Sequence, residues 1–229
     1  MIGIIGAMKQ EVDQLLSLMK VTEDSYDCGY HFYKGLMADK DVVVVQGGIG
    51  KVNASLSAAI LLKDYPIDYV INIGSAGGLK EQENIGDIII GEKVIHHDFD
   101  LTGFGRPIGQ VPDMPHYFEA DSKMIELAHQ ILEKNNQKAF IGVIASGDQF
   151  VYREDQVRFI LKNIPDALCT EMEAASIAQI CFIFKKPFLI TRGISDVYNK
   201  GSNSIQFDQY LEKASRSSAL MCYEMVKAL

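Results

Sequence analysis

An α/β three-layer sandwich around a mixed sheet is the fold class this sequence predicts, on three observations. Short β-rich apolar runs alternate with stretches of helical periodicity along the chain. Two of those runs, residues 30–37 and 41–46, are separated only by Ala38, Asp39 and Lys40, which makes an antiparallel hairpin and hence a mixed sheet. The polar turns fall at strand ends, where open α/β sheets bind ligands. With 229 residues, 48% of them hydrophobic, the chain can bury one large core, so a single domain over residues 1–229 is expected.

Residues 2–6 read as a strand ending at Gly6, followed by a helix over 8–18 with Val12, Leu15, Leu16 and Met19 on one face. Glu11 sits in its first turn, where a glutamate serves the helix dipole as readily as it serves chemistry. After the hairpin, Gly47-Gly48-Ile49-Gly50-Lys51 looks like a phosphate loop. The Walker spacing is absent, however, because Lys51 precedes Val52 and the upstream glycine is missing. These glycines are read as close packing between strand and helix, ahead of a helix over 53–63.

Residues 69–73 form an apolar strand carrying one amide, Asn72, and lead into Gly74-Ser75-Ala76-Gly77-Gly78, a turn whose amides can hold an anion or a polarised water. Residues 85–95 are β-rich and end at His96-His97-Asp98. That triplet invites a metal, yet neighbouring side chains on an extended strand point to opposite faces, so no metal is expected there. Residues 99–118 have no period and carry Phe99, Phe104, Tyr117 and Phe118, an apolar surface that a partner subunit would cover.

A helix over 121–133, capped by Asp121, precedes a strand over 140–145 and the segment Ser146-Gly147-Asp148-Gln149-Phe150-Val151. A helix over 153–163 and a strand over 167–170 follow. Residues 170–196 organise the rest. Glu171 and Glu173 open a helix over 174–184, Lys185-Lys186-Pro187 breaks it, and a strand over 188–194 delivers Asp196 at its end. Three carboxyls and Arg192 can converge there, although helix-dipole and capping roles account for the same acids. A polar loop over 198–204 and a final amphipathic helix over 207–229 complete the chain.

The formal net charge of -8, with no Lys/Arg-rich run, argues against nucleic acid and anionic membrane as partners. A small-molecule ligand is expected instead. No apolar stretch reaches the ~18 residues of a spanning helix, and Met1-Ile2-Gly3 enters the first strand without a leader, so a cytoplasmic protein is expected. Cys28, Cys169, Cys181 and Cys222 form no C-x-x-C pair; all four are expected as buried apolar residues.

Set side by side, Met8-Lys9-Gln10-Glu11, Gly74-Ser75-Ala76-Gly77-Gly78, Ser146-Gly147-Asp148-Gln149-Phe150, Glu171-Met172-Glu173 and Ile194-Ser195-Asp196 resemble the bacterial 5′-methylthioadenosine/S-adenosylhomocysteine nucleosidases in order and spacing. The resemblance runs from Ile2 to the final helix. It implies the nucleoside phosphorylase fold with a partly barrel-like sheet, adenine nucleosides as substrates, no cofactor and a homodimer. It further implies that Asp196, oriented by Ser195 and raised in proton affinity by partial burial, protonates N7 of the purine. Glu11 would deprotonate the attacking water, helped by Ser75 and by Arg192 paired with Glu171.

By the same resemblance Glu173 accepts from the ribose hydroxyls beside the Met172 backbone, and Gly77 borders the substrate. Phe150 stacks on the base while Val151 reads its edge. Met8, Ile49 and Phe207 line the 5′-thio pocket, completed by Leu101, Phe104 and Pro112 from the partner subunit. Gly48 and Arg106 depart from the family pattern, which has Ser and Tyr there. A cation at Arg106 would favour a carboxylate-bearing tail such as that of S-adenosylhomocysteine. The rivals are a purine nucleoside phosphorylase, which usually has an arginine where Asn72 stands, and a nucleosidase for aminodeoxyfutalosine or 5′-deoxyadenosine. A binding domain without catalysis would have no use for Glu11, Glu173 and Asp196 together.

Overall fold

The computed structural model describes residues 1–198, 200 and 203–229, the side chains of 203–205 and 208 excepted. In chain order the strands are β1 (Ile2–Gly6), β2 (Lys20–Asp27), β3 (Tyr30–Met37), β4 (Lys40–Gln46), β5 (Tyr69–Asn72), β6 (Ser75–Gly78), β7 (Ile88–His96), β8 (Phe118–Glu119), β9 (Ala139–Ser146), β10 (Ala167–Glu171) and β11 (Phe188–Val197). The helices are α1 (Lys9–Leu16), α2 (Lys51–Asp64), α3 (Ser122–Lys134), α4 (Glu154–Asn163), α5 (Ala174–Phe184) and α6 (Asn203–Ala228). Helix α6 begins at Asn203, inside the expected loop over 198–204 and four residues before the expected helix start, while residues 199, 201 and 202 of that loop lie outside the described residues.

The strands form one mixed sheet in the order β2-β3-β4-β1-β5-β11-β6-β10-β9-β7-β8. An extra antiparallel pairing of β11 with β7 curls the second half of this sheet into a partial barrel. A mixed, partly barrel-like sheet is what the resemblance implies. The strand period of two sorts the core: on β4, Val43 and Val45 face α2 and α5, whereas Val42 and Val44 face the layer of α1, α3 and α6. A third cluster joins Val157 and Ile160 of α4 to Val143 and Ala145 of β9. Asp121 caps α3 as expected, accepting from the amides of Lys123 and Met124.

Three expectations are corrected, and one strand is found that the sequence pattern does not show. The segment 74–78 is not a turn: Ser75 to Gly78 form strand β6, paired in parallel with β11 and antiparallel with β10. Strand β11 runs three residues beyond the expected end, and a bulge at Ser195 puts Asp196 inside the strand. Bulges of this kind re-aim side chains next to active sites. Strand β2 has almost no buried residue; its place comes from pairing with β3, which a hydrophobic pattern does not reveal. Cys28 is exposed, because it occupies the tight β2–β3 turn with φ of 48°, while the other three cysteines are buried. Among the described residues no helix is long and apolar enough to cross a membrane.

Glu83 is fully buried in the segment between β6 and β7, with Oε1 lacking a partner among the described residues while Oε2 accepts from the Lys80 amide. Burial pushes its carboxyl up to about 7. The folded state therefore holds a proton that the unfolded chain releases between the ordinary 4.5 and about 7, so Glu83 lowers stability as pH rises through that window. Glu83→Gln is expected to stabilise the fold by roughly 2 kcal/mol at pH 8 and by almost nothing at pH 4. Urea titrations at both pH values check this.

Candidate active site

Seven segments meet at one cleft. The end of β1 and start of α1 bring Ala7, Met8 and Glu11; the glycine-rich loop brings Ile49; β6 brings Ser75, Ala76 and Gly77. The turn after β9 brings Phe150, the β10–α5 junction brings Thr170, Glu171, Met172 and Glu173, and β11 with α6 brings Ser195, Asp196 and Phe207. The cavity holds about 230 Å³, many times the roughly 30 Å³ share of one water, which suits a small organic ligand.

Glu11 is buried and held by the protein backbone on both oxygens. Oε2 accepts from the amides of Ala7 (2.8 Å) and Met8 (3.0 Å), and Oε1 from the amide of Ser75 (3.2 Å). These bonds fix the carboxylate at the cleft wall across two chain segments. Burial raises its pKa above 4.5, and the backbone donors and Arg192 offset only part of that rise. Gly74 leaves the space: a Cβ there would lie 3.2 Å from Glu11 Oε1 and 3.4 Å from the Arg192 guanidinium carbon.

Asp196 lines the same cleft from the bulge of β11 and is 1% exposed. The Ser195 hydroxyl donates to its Oδ1 at 2.8 Å. Gly77 on the paired strand suits this arrangement, since a Cβ would sit a tight 3.0 Å from Asp196 Oδ2. The two carboxyls thus line one cleft in different settings, one gripped by amides and the other by a hydroxyl.

Beneath them lies a buried charged cluster. Arg192 donates from Nη2 and Nε to Glu171 Oε2 (2.5 and 3.2 Å) and from Nη2 to Asn72 Oδ1 (2.6 Å). Glu171 also accepts from the Ser146 hydroxyl and from the amides of Glu173 and Ala174 at the start of α5. Glu171 therefore anchors the junction and Arg192 lies behind the cleft wall. Glu173 points into the cleft and accepts from the Gly50 amide at 2.9 Å; burial and the charge of Glu171 push its carboxyl up to about 8.

Phe150 and Phe207 meet edge to face, with centroids 6.0 Å apart at 73°, and make the apolar wall. Val151 is buried behind Phe150 in an adjoining crevice shared with Gly77 and Asp196. Of the residues expected in this chain's own site, only Val151 and Arg192 lie off the cleft surface. Leu101, Phe104, Arg106 and Pro112 do not line it; Phe104 is 84% exposed. Phe118 is covered by its own fold, edge to face with Phe182 of α5. The sequence reasoning missed Ala7, Ala76 and Thr170 as wall residues, and Ser146 and Asn72 as the groups that hold the cluster. Asn72 carried a signal, being the one amide in an apolar strand.

His96 and His97 point apart. His96 Nε2 meets Gln179 Oε1 at 3.0 Å, whereas His97 packs under Gly147. Among the described residues no group of His, Cys, Asp and Glu is arranged to hold a metal ion.

A family model described as the phosphorylase superfamily matches residues 1–227. A curated relative from Oceanobacillus iheyensis, named 5′-methylthioadenosine/S-adenosylhomocysteine nucleosidase, is 43% identical over 228 residues, covering 100% of this chain and 99% of its own. The crystal structure of the nucleosidase of that name from Neisseria meningitidis, in complex with methylthio-immucillin-A, superposes with a TM-score of 0.95 at 39% identity, covering 100% and 99% of the two chains. A futalosine hydrolase structure from Helicobacter pylori also reaches 0.95, at 32% identity, covering 100% and 97%.

Proposed function

Because the chain belongs to the phosphorylase superfamily and, within it, to the methylthioadenosine/S-adenosylhomocysteine nucleosidases, which are N-glycosidic hydrolases, we propose that it hydrolyses 5′-methylthioadenosine and S-adenosylhomocysteine to adenine and the 5-thioribose product. The observation that carries the reading is the pair Glu11 and Asp196, two buried carboxyls on the walls of one cleft, each held in a different way.

Adenine leaves readily only when a ring nitrogen is protonated while the ribose gains oxocarbenium character. Asp196, aimed by Ser195, gives its proton to N7 of a base stacked against Phe150. Glu11, a fixed acceptor, takes a proton from the water that attacks the anomeric carbon. Glu173 accepts from the ribose hydroxyls, and those bonds tighten as the sugar flattens. Met8, Ile49 and Phe207 offer an apolar, polarisable seat for the 5′-sulfur substituent.

Phosphate is a poor fit as the nucleophile. It would meet Glu11, Glu171 and Glu173, while Arg192, the cation nearest them, is already engaged by Glu171 and Asn72. Glu11→Gln is expected to lower kcat by roughly 10²–10⁴-fold with the fold retained, the usual range for a general base. In the parent enzyme, activity should fall with decreasing pH as Glu11 takes up a proton, at a pH above the ordinary carboxylate range. A pH–rate profile checks the sign.

The second reading concerns the 5′ substituent, since the futalosine hydrolase structure superposes equally well over the whole chain. Competing release of adenine from 5′-methylthioadenosine, S-adenosylhomocysteine and aminodeoxyfutalosine, compared as kcat/KM, tests both. The thioether substrates are expected to lead; a lead by aminodeoxyfutalosine replaces the reading. The homodimer belongs to the same proposal: exposed Phe104, Val52 and Leu56 are the surface a second copy would cover, and Arg106 would reach a 5′ tail only from that copy. Light scattering that returned a monomer at working concentration would remove it.

A further inference from the structure

Two motifs left unused by the chemistry above, the glycine-rich loop ending at Lys51 and the triplet ending at Asp98, are joined to each other. Lys51 Nζ donates to Asp98 Oδ1 at 2.5 Å, the Asp148 amide donates to Asp98 Oδ2 at 2.8 Å, and the Lys51 amide donates to Asp148 Oδ1 at 2.7 Å. These three bonds close a ring through the start of α2, the end of β7 and the turn after β9. The side chains of Lys51 and Asp98 are only 20% and 23% exposed. Burial alone would raise the pKa of Asp98, but Lys51 and the Asp148 amide outweigh it and hold the carboxylate below its ordinary value.

From these bonds we infer that Lys51 and Asp98 are positioning residues that set the width of the nucleoside cleft and hold the Gly50 amide on Glu173. The inference rests on the nucleosidase reading and deepens it. Lys51 and Asp98 lie outside the cleft, but each end of the ring continues directly into a cleft wall. On one side Gly50 donates to Glu173 at 2.9 Å and Ile49 lines the 5′ side. On the other, Asp148 leads within two residues to Phe150.

The backbone is shaped for this ring. Gly50 has φ of 94°, in the region that favours glycine, and a Cβ there would stand 3.1 Å from Asp148 Oδ1. A Cβ on Gly147 would fall 2.4 Å from the His97 ring and 3.0 Å from the Asp98 carboxyl carbon. His97 thus acts as the floor on which the Gly147 turn rests, its own amide donating to Ser146 O at 2.8 Å. The lysine that looked like part of a phosphate loop has its ammonium turned onto a carboxylate, and the aspartate that looked like a metal ligand has both oxygens in use.

The test compares Lys51→Met, Asp98→Asn, their double variant and Lys51→Arg in two measurements: steady-state release of adenine from 5′-methylthioadenosine, and amide hydrogen exchange across residues 47–51. Each single variant is expected to raise KM about tenfold with kcat within about threefold, and the double variant to match the singles, because both remove one ring. Lys51→Arg should recover most of the loss. Exchange at 47–51 should quicken in both single variants while the thermal midpoint stays near that of the parent. Additive KM effects, or parent-like KM and exchange in the single variants, overturn the inference. A parent enzyme that releases no adenine defeats the nucleosidase reading instead, and the exchange data then still decide whether the ring holds the loop.

Discussion

Asp196→Asn is expected to reduce adenine release by about 10³-fold or more while leaving the fold and adenine binding nearly intact. The substitution keeps size and shape in a place with no room to spare. Gly77 opposite leaves little slack, with 3.0 Å between a notional Cβ and Oδ2, so a side chain there would press on the parent carboxyl. An amide oxygen still accepts from the Ser195 hydroxyl, now 2.8 Å from Oδ1, and the bulge that aims the side chain belongs to the backbone. What is lost is the proton. An amide cannot deliver one to N7, and adenine then has to leave as an anion. Because ground-state contacts persist, the loss should appear in kcat with KM nearly constant, the pattern of an interaction used in the transition state. Loss of folding in Asp196→Asn would make the residue structural and contradict the assignment.

Arg192→Met is expected to destabilise the fold by about 3–5 kcal/mol and to abolish measurable activity. Arg192 is 1% exposed and is the cation against which Glu171 was brought into the interior; removing it strands a carboxylate that also holds the amides of Glu173 and Ala174 at the start of α5. Methionine fills much of the volume but leaves Asn72 Oδ1 and Thr191 O without their donor. Combining Arg192→Met with Glu171→Gln should restore roughly half of the lost stability or more, since the stranded charge goes too. Urea unfolding of the two variants checks the sign, and a double variant less stable than the single would show that the pair is not what Arg192 balances.

The fold was legible wherever burial leaves a period. Ile2–Gly6 is readable as an unbroken apolar run, Ala174–Phe184 from apolar residues three to four apart, and the 30–46 hairpin from two β-rich runs with a short polar break. Strand β2 was not, because Lys20–Asp27 is an edge strand whose residues are nearly all exposed and whose order comes from β3. Strand β6 was hidden for the opposite reason: Ser75-Ala76-Gly77-Gly78 has turn composition, yet small residues are what allow β10 and β11 to approach with Asp196 and Glu83 beside them.

At the site, the carboxyls could be found from their positions at strand ends, and the family resemblance supplied their roles. The residues that hold them were harder. Ser146 and Asn72 act through contacts 25 and 120 residues away in sequence, which no local pattern encodes. Lys51 and Asp98 were conspicuous in the sequence for the wrong reasons, as pieces of a phosphate loop and of a metal site. Their actual partners became visible only when three distant loops were brought to one end of the sheet.

Water, activated by Glu11, is expected to break the bond between adenine and ribose in this cleft. The most direct measurement is the mass of the sugar released from 5′-methylthioadenosine in ¹⁸O-enriched water with phosphate present. Free 5-methylthioribose carrying one ¹⁸O is expected, formed at the same rate without phosphate and lost in Glu11→Gln. A sugar 1-phosphate without the label, formed only when phosphate is added, would contradict it and make the enzyme a phosphorylase.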